Sequence, residues 1–159
     1  MPPAQAADLL TACCGSQRWV SRLVARRPFR SRQAILEAAD QEWGSLTPVD
    51  WREAFAHHPR IGERKSDLPQ SQRGQQWSAG EQRKVDGTGA LGRDALFLVN
   101  QDYEARFGHL YVVDATGKSA AEMVAIARAR LANDPESELR IAAGEQRKIM
   151  RRRMERLFR

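Results

Sequence analysis

Apolar residues recur at the three- and four-residue spacing of an α-helix along nearly the whole chain, and this periodicity limits the fold more than any other feature. One such segment surrounds Trp19 and Leu23, and the next surrounds Ile35. Pro28 separates the two segments because proline cannot continue a helix. The pattern predicts an all-α fold, and the length of 159 residues suits one helical domain covering residues 1–159.

Three later segments carry signals of a helix start. Thr47-Pro48-Val49-Asp50 combines an N-cap threonine, a proline at the first helical position and an acid at the third. Ser119-Ala120-Ala121-Glu122 has the form of a capping box, and Asn133-Asp134-Pro135 opens the last helix. The first of these helices should end near His57-His58-Pro59, because a proline disfavours helical angles in the residue before it.

Two other regions are less regular. Residues 60–76 are polar and contain Gly62, Pro69 and Gly74, so they predict a long central loop. Helix should resume at Ser78, weaken through the glycines at 87–92, and run from about Asp94 to Phe107. Residues 109–113 are apolar and β-branched, which predicts a short extended or tight connection.

The last helix combines an apolar stripe with a cluster of basic residues. Residues 145–159 hold seven lysines and arginines against two glutamates, a balance of +5, while the whole chain carries +6. A nucleic-acid interface would therefore rest on this helix alone. The arginines are expected away from the apolar stripe, which consists of Leu139, Ala142, Ala143, Gln146, Ile149, Met150, Met154 and Leu157.

Composition excludes several classes of protein. The two cysteines, Cys13 and Cys14, are adjacent, a spacing that closes no useful disulfide loop and matches no zinc-ligand pattern. This favours a reducing compartment. Apolar runs reach no more than five residues, which argues against a membrane-spanning helix or a secretory signal. We therefore expect a cytoplasmic protein without a membrane partner.

The residues themselves offer a few chemical groups. His58, pinned by Pro59 at a helix end, is a candidate acid or base, although the residues alone favour a histidine that caps the helix or faces solvent. Ser78 to Glu81 has the S-x-x-E form of a capping box, which has a purely structural interpretation. Arg130 would by default be a solvated arginine with a packed stem. We find no phosphate-binding loop, zinc spacing or nucleophile motif.

The order of the segments resembles the family of 2-oxo-4-hydroxy-4-carboxy-5-ureidoimidazoline (OHCU) decarboxylases. Residues 58–62, His-Pro-Arg-Ile-Gly, are similar to the family's H-P-x-I-G segment. Residues 78–82 match its S-x-x-E-Q element, and residues 100–108 match its N-x-x-Y-x-x-R-F-G element. The stretches 116–135 and 145–149 resemble the family's C-terminal half. The similarity therefore covers most of the chain.

The resemblance implies a decarboxylation without cofactor or metal that yields (S)-allantoin and CO₂, the last step of urate oxidation. It implies that His58 is the catalytic histidine and that Glu81 supplies the carboxylate that orients it. Ser78 and Gln82 would hydrogen-bond the ureido and ring groups, and Arg130 would hold an anionic or carbonyl oxygen. The other implied contacts are the pocket wall at Pro59 and the backbone around Leu110, Tyr111 and Val112.

The resemblance further implies a homodimer that acts on a small anionic substrate in the cytoplasm. A different class of function stays open: a helical nucleic-acid or partner-binding module that uses the arginine-rich last helix. That alternative explains the local charge of +5 and leaves His58 and residues 78–82 unexplained. A third possibility is a family member whose substrate is another ureido or imidazolone compound.

Overall fold

The computed structural model describes residues 1–62, 76–77, 80–81 and 89–159, and within these ranges the regular secondary structure is entirely helical. The all-α prediction is therefore confirmed. The seven helices with defined bounds in the described ranges are α1 (Pro3–Cys13), α2 (Gln17–Ala25), α3 (Arg32–Gly44), α4 (Pro48–Ala56), α5 (Gly89–Phe107), α6 (Ala120–Arg130) and α7 (Pro135–Leu157).

Side-chain caps begin the helices where the sequence predicts them. The Thr47 hydroxyl accepts a hydrogen bond from the Asp50 amide, and the Asp50 carboxylate accepts one from the Thr47 amide. Ser119 accepts from the Glu122 amide at α6, and Asp134 accepts from the Ser137 amide at α7. These bonds satisfy amides that have no partner within the first helical turn.

The central part of the chain differs from prediction in two respects. Gln76, the last residue of the predicted loop, is helical. α5 begins at Gly89 rather than near Asp94. Glycine weakens a helix by about 1 kcal/mol relative to alanine, and the long helix that follows outweighs this cost. Residues 76–77 and 80–81 are helical, while residues 63–75 of the predicted loop and the helix start at Ser78 lie outside the described residues.

Two apolar clusters form the core. The first joins α1, α2, α3, α4 and α7, and its fully buried members include Trp19, Phe55 and Met154. The second joins α5 and α6 and is centred on Leu96, Tyr103, Tyr111, Met123 and Ala127. In the ranges described, no helix is long and apolar enough to span a membrane.

The irregular stretch near residue 110 runs between the two clusters. In the described structure this stretch pairs with no β-strand. Its successive side chains still alternate between two sides, as they do in an extended chain. Val112 packs into the first cluster, whereas Tyr111 and Val113 pack into the second. This segment therefore forms a seam between the clusters, and the candidate site lies beside it.

Candidate active site

His58 is fixed by the end of α4. The His57 residue closes the helix, and the His58 amide donates to the Phe55 carbonyl oxygen at 3.1 Å. Phe55 is completely buried, so this last turn is anchored in the first cluster. Pro59 follows directly and prevents the helix from continuing. The prediction that α4 ends at this point is confirmed.

The connection between α1 and α2 presses against the same turn. A β-carbon added at Gly15 would lie 2.2 Å from Cγ of His57 and 2.5 Å from its Cβ. The β-carbon of His57 is fixed by the backbone, so a rotation of the side chain would leave the 2.5 Å contact in place. Gly15 therefore permits the close approach that supports the turn before His58.

The His58 imidazole is bonded to the last helix. Its Nε2 lies 2.5 Å from Oε1 of Gln146, a residue that is completely buried on α7. His58 keeps partial access to solvent, yet it lies deep among protein atoms. That burial, together with the nearby Arg153 charge, lowers the pKa of His58 to about 3. The imidazole is therefore neutral near pH 7. The alternative interpretation, in which His58 simply faces solvent, is wrong.

Glu81 is held by two arginines of α7. Arg153 donates from Nε and Nη2 to the two carboxylate oxygens, at 3.1 and 3.0 Å, and Arg156 lies 3.5 Å from one of them. Arg153 also donates to the Ala12 carbonyl oxygen at 3.2 Å. The family resemblance implies that Glu81 orients His58. The hydrogen-bond partner of His58 in the described structure is instead Gln146.

His58 and Glu81 line one cavity. Its volume is about 20 Å³, the room of a single water molecule. The cavity lies at the seam between the clusters and is lined by His58, Pro59, Ile61, Glu81, Tyr111, Val112, Val113, Ala115 and Ile149. The structure thus brings together five of the nine predicted site residues: His58, Pro59, Glu81, Tyr111 and Val112. Ser78 and Gln82 lie outside the described residues, and Leu110 and Arg130 are not part of the described wall.

Arg130 lies in the core rather than at the cavity wall. It is buried and donates from Nε to Glu138 at 2.6 Å, from Nη1 to the Val112 carbonyl oxygen at 2.8 Å and from Nη2 to the Tyr103 hydroxyl at 3.3 Å. The default view of a solvated arginine is therefore wrong. The bond to Val112 connects Arg130 to the backbone of a residue that does line the cavity.

The sequence analysis did not predict the roles of two residues at the site, Gln146 and Arg153. Gln146 appears there only as a member of the apolar stripe, and Arg153 was expected away from it. Arg153 is 3% exposed, because it lies seven residues after Gln146 and three after Met150 on the same helical face. The sequence does contain one signal for them: polar side chains at the spacing of the apolar stripe. Such a residue is expected to be buried, and therefore to bond a buried partner.

The basic residues of α7 form ion pairs with acidic residues of the same chain. The Arg147 contact holds the pKa of Asp40 below its ordinary value. In the part of the chain that the structure describes, the ion pairs of residues 147–156 join Arg147 and Arg151 to Asp40, Arg151 also to Glu155, Lys148 to Glu145, Arg152 to Asp114, and Arg153 and Arg156 to Glu81. Such pairing disfavours the nucleic-acid alternative, which needs these charges for phosphates. Among the described residues, no group of three or more His, Cys, Asp and Glu side chains could hold a metal ion.

Comparison with known proteins adds independent findings. A family model described as OHCU decarboxylase matches residues 1–155. The uric acid degradation bifunctional protein TTL of Arabidopsis thaliana is 34% identical over 151 residues, which are 95% of this chain and 47% of that protein. A uric acid degradation bifunctional protein of Bacillus sp. (strain TB-90) is 26% identical over 163 residues, covering 100% of this chain and 31% of its own. The chain thus spans less than half the length of these curated relatives.

Solved structures agree in fold. A crystal structure of OHCU decarboxylase in the presence of (S)-allantoin superposes with a TM-score of 0.82 at 31% identity, covering 95% of this chain and 97% of that one. A crystal structure of (S)-allantoin synthase superposes with a TM-score of 0.67 at 14% identity, covering 99% of this chain and 51% of that one. The second likeness concerns the fold alone.

Proposed function

Because the chain belongs to the OHCU decarboxylase family, we propose that it converts 2-oxo-4-hydroxy-4-carboxy-5-ureidoimidazoline to (S)-allantoin and CO₂, as a carboxy-lyase. The observation that carries the proposal is the shared cavity wall of His58 and Glu81. These are the two residues to which the family pattern assigns the chemistry. The solved OHCU decarboxylase, which covers nearly the same length and whose structure was determined in the presence of (S)-allantoin, the product of this reaction, supports the same activity.

The reaction needs little beyond orientation and proton transfer. When the bond to the carboxylate breaks, its electron pair passes into the adjacent imidazolone system and leaves an enolate-like anion. Because the carboxylate departs as neutral CO₂, this anion must take up one proton. The face that receives the proton fixes the configuration of the product. A rigid site therefore supplies a fixed pose and one positioned proton carrier.

We assign the proton carrier to His58. A neutral imidazole both accepts a proton from the substrate hydroxyl and returns one to carbon, and the low pKa of His58 keeps the ring neutral before substrate binds. The same positive field of Arg153 that disfavours an imidazolium favours a bound anion. Glu81 holds Arg153 and Arg156 beside the cavity, which is how we propose that it assists.

Arg130 is proposed to act through the seam segment. Its bond to the Val112 carbonyl oxygen fixes the backbone around Leu110, Tyr111 and Val112, which the family pattern brings against the imidazoline ring. A direct contact of Arg130 with a substrate oxygen stays a prediction. It would appear as a raised KM in Arg130→Lys, whereas a role in fixing Val112 would also lower kcat. Ser78 and Gln82 are proposed to bind the ureido and ring groups.

The test generates the substrate from urate with urate oxidase and hydroxyisourate hydrolase, adds the protein and follows circular dichroism. We expect rapid formation of one enantiomer of allantoin above the slow racemic background. His58→Ala should fold normally and lose about 10²- to 10⁴-fold in kcat, because general acid–base catalysis is lost. A wild-type protein that does not accelerate product formation would refute the proposal.

His57→Ala is the matched control for His58→Ala. His57 is the neighbouring histidine and is not among the residues that line the cavity. We expect its variant to keep most of the activity. Equal losses in the two variants would show that the turn, rather than the His58 imidazole, is what matters.

We also propose a homodimer. α5 exposes Leu91, Phe97 and Leu98, of which Leu91 and Leu98 are seven residues apart and therefore share one face. An exposed apolar face of this kind favours self-association. Analytical ultracentrifugation should give twice the chain mass of 18.0 kDa, and Leu98→Glu should give a monomer.

A cytoplasmic location is proposed from the cysteines. Cys13 and Cys14 are buried thiols, and burial raises the pKa of the Cys14 thiol to about 12, which makes it inert. A pair of buried reduced thiols suits a reducing compartment. Cell fractionation with a tagged full-length chain would check this location.

A further inference from the structure

Gln146 is an unexpected residue at its position. It is completely buried on α7, on the face that also carries Ala142, Ala143, Ile149 and Met150. Its Nε2 has no hydrogen-bond partner among the described residues. A buried amide donor without a partner destabilises a fold, whereas an apolar side chain of similar size would not. The contacts in the described part of the chain therefore give the glutamine no structural explanation.

The contact that Gln146 does make is with His58. Its Oε1 lies 2.5 Å from His58 Nε2, and an amide oxygen is only an acceptor. The imidazole nitrogen facing it must therefore carry the hydrogen. A neutral imidazole carries one ring hydrogen, so Nδ1 of His58 is the nitrogen with the available lone pair.

We propose that Gln146 is a positioning residue that holds His58 as its Nε2–H tautomer and leaves Nδ1 as the proton acceptor. The catalytic consequence rests on the proposed function, while the tautomer itself does not. The backbone bond from His58 to Phe55 fixes the position of the residue, and Gln146 fixes the rotation and proton of its ring. This division resembles the outer ligands that orient histidines at metal sites.

The charged groups around His58 act in the same direction. Arg153 from α7 and His57 from the preceding position both disfavour a second proton on the ring. Glu81 faces the same cavity, with its carboxylate already bonded by Arg153 and Arg156. Gln146 is the described residue with a direct hydrogen bond to the imidazole.

The first test measures the tautomer by NMR on protein labelled with ¹⁵N-histidine. His58→Ala identifies the signals of His58. We expect the pattern of a single Nε2–H tautomer in the wild type and a mixture of tautomers in Gln146→Met. A predominant Nδ1–H tautomer in the wild type would overturn the proposal, and so would an unchanged pattern in Gln146→Met.

The second test separates positioning from structure. Gln146→Met should lower kcat by about 10- to 100-fold with little change in KM, while its thermal stability stays equal to or above that of the wild type. Met150→Leu, a conservative change on the same face, should leave the tautomer and kcat unchanged. A stability loss in Gln146→Met that accounts for the loss of activity would assign the residue a structural role instead.

Gln146→Glu is the conservative variant. A carboxylate also accepts from Nε2, so the tautomer should be kept, and its negative charge should raise the pKa of His58. Activity should then fall at low pH in this variant at a pH where the wild type is unaffected. An identical pH profile would count against the contact. The NMR result needs no substrate, so a protein without decarboxylase activity would refute the proposed function and leave the tautomer assignment standing.

Discussion

Two buried arginine–glutamate pairs each have one member on the last helix, and they differ in what surrounds them. Arg130 and Glu138 meet inside the core, where the Glu138 carboxylate also accepts from Tyr103 and, at 3.0 Å, from Asn133. Arg153 and Glu81 meet beside the cavity that contains His58. The same kind of ion pair therefore lies within the core in one place and borders the proposed catalytic histidine in the other.

The difference teaches how to interpret a buried ion pair. Glu138 is completely buried and both of its oxygens accept hydrogen bonds from neighbouring side chains, so this pair has a structural explanation. Glu81 lines an internal space together with a histidine whose pKa is strongly lowered. A pair that shares a cavity with a perturbed titratable group is a candidate for function, whereas burial alone is not.

The largest expected contrast is between Glu138→Gln and Glu81→Gln. Glu138→Gln should lower the free energy of unfolding by about 3 to 5 kcal/mol, because it leaves the Arg130 charge buried without its carboxylate. Glu81→Gln should also lose stability, because it leaves the buried Arg153 without its carboxylate, and it should in addition lower kcat/KM by about 10²- to 10⁴-fold. Urea unfolding and the circular dichroism assay measure the two quantities. Similar losses of stability and activity in both variants would erase the distinction between the pairs.

A smaller effect is expected on the cavity side from Gly15→Ala. The added methyl group would overlap the base of His57, so the variant should lose about 1 to 3 kcal/mol of stability and also activity. Gly144→Ala on α7 is the control, since nothing lies within 4 Å of its β-carbon position and it should gain about 0.5 to 1 kcal/mol. Thermal unfolding distinguishes the two. A neutral Gly15→Ala would show that the turn before His58 is not tightly supported.

Acid should destabilise both regions through their buried histidines. Burial lowers the pKa of His58 to about 3 and also lowers the pKa of His109, which packs on Tyr103 in the second cluster. The unfolded chain takes up these protons below about pH 6.5, so stability is present above that pH and is lost as pH falls toward the folded pKa. The loss for His58 should reach up to about 2 kcal/mol at pH 5.

Urea unfolding at pH 6.5 and pH 5 would measure this loss, in a window where most carboxylates stay ionised. His58→Gln should remove its share of the pH dependence, and His109→Phe should remove a separate share. If neither variant changes the slope between the two pH values, the histidines are not neutral in the folded protein.

Much of the helical framework follows from local sequence. Thr47, Ser119 and Asp134 cap helices at the predicted positions, because capping depends on residues three positions apart. The start of α5 was missed by five residues, since glycines at 89 and 92 read as breakers and the packing of α5 on α6 overrides that preference.

The site is less accessible to local reasoning. The family pattern identifies His58 and Glu81, and the structure brings both to one cavity. The partners Gln146 and Arg153 are 88 and 72 residues away in sequence from the groups they bond. Periodicity tells which face of α7 is buried, and it does not tell which distant side chain meets that face.

The spacing of residues along the last helix sets the positions of both ion pairs. Glu138, Gln146 and Arg153 stand eight and seven positions apart, about 12 and 10.5 Å along the axis. Gln146 and Arg153 therefore lie within about 20° of one line, and Glu138 lies about 80° around the helix from Gln146. One residue inserted between Ala143 and Gln146 would leave the Glu138 pair in register and turn everything after it by about 100°. The number of residues between Glu138 and Arg153 therefore fixes how the core pair and the cavity pair are placed relative to each other, and an insertion here should disturb the cavity more than a side-chain substitution does.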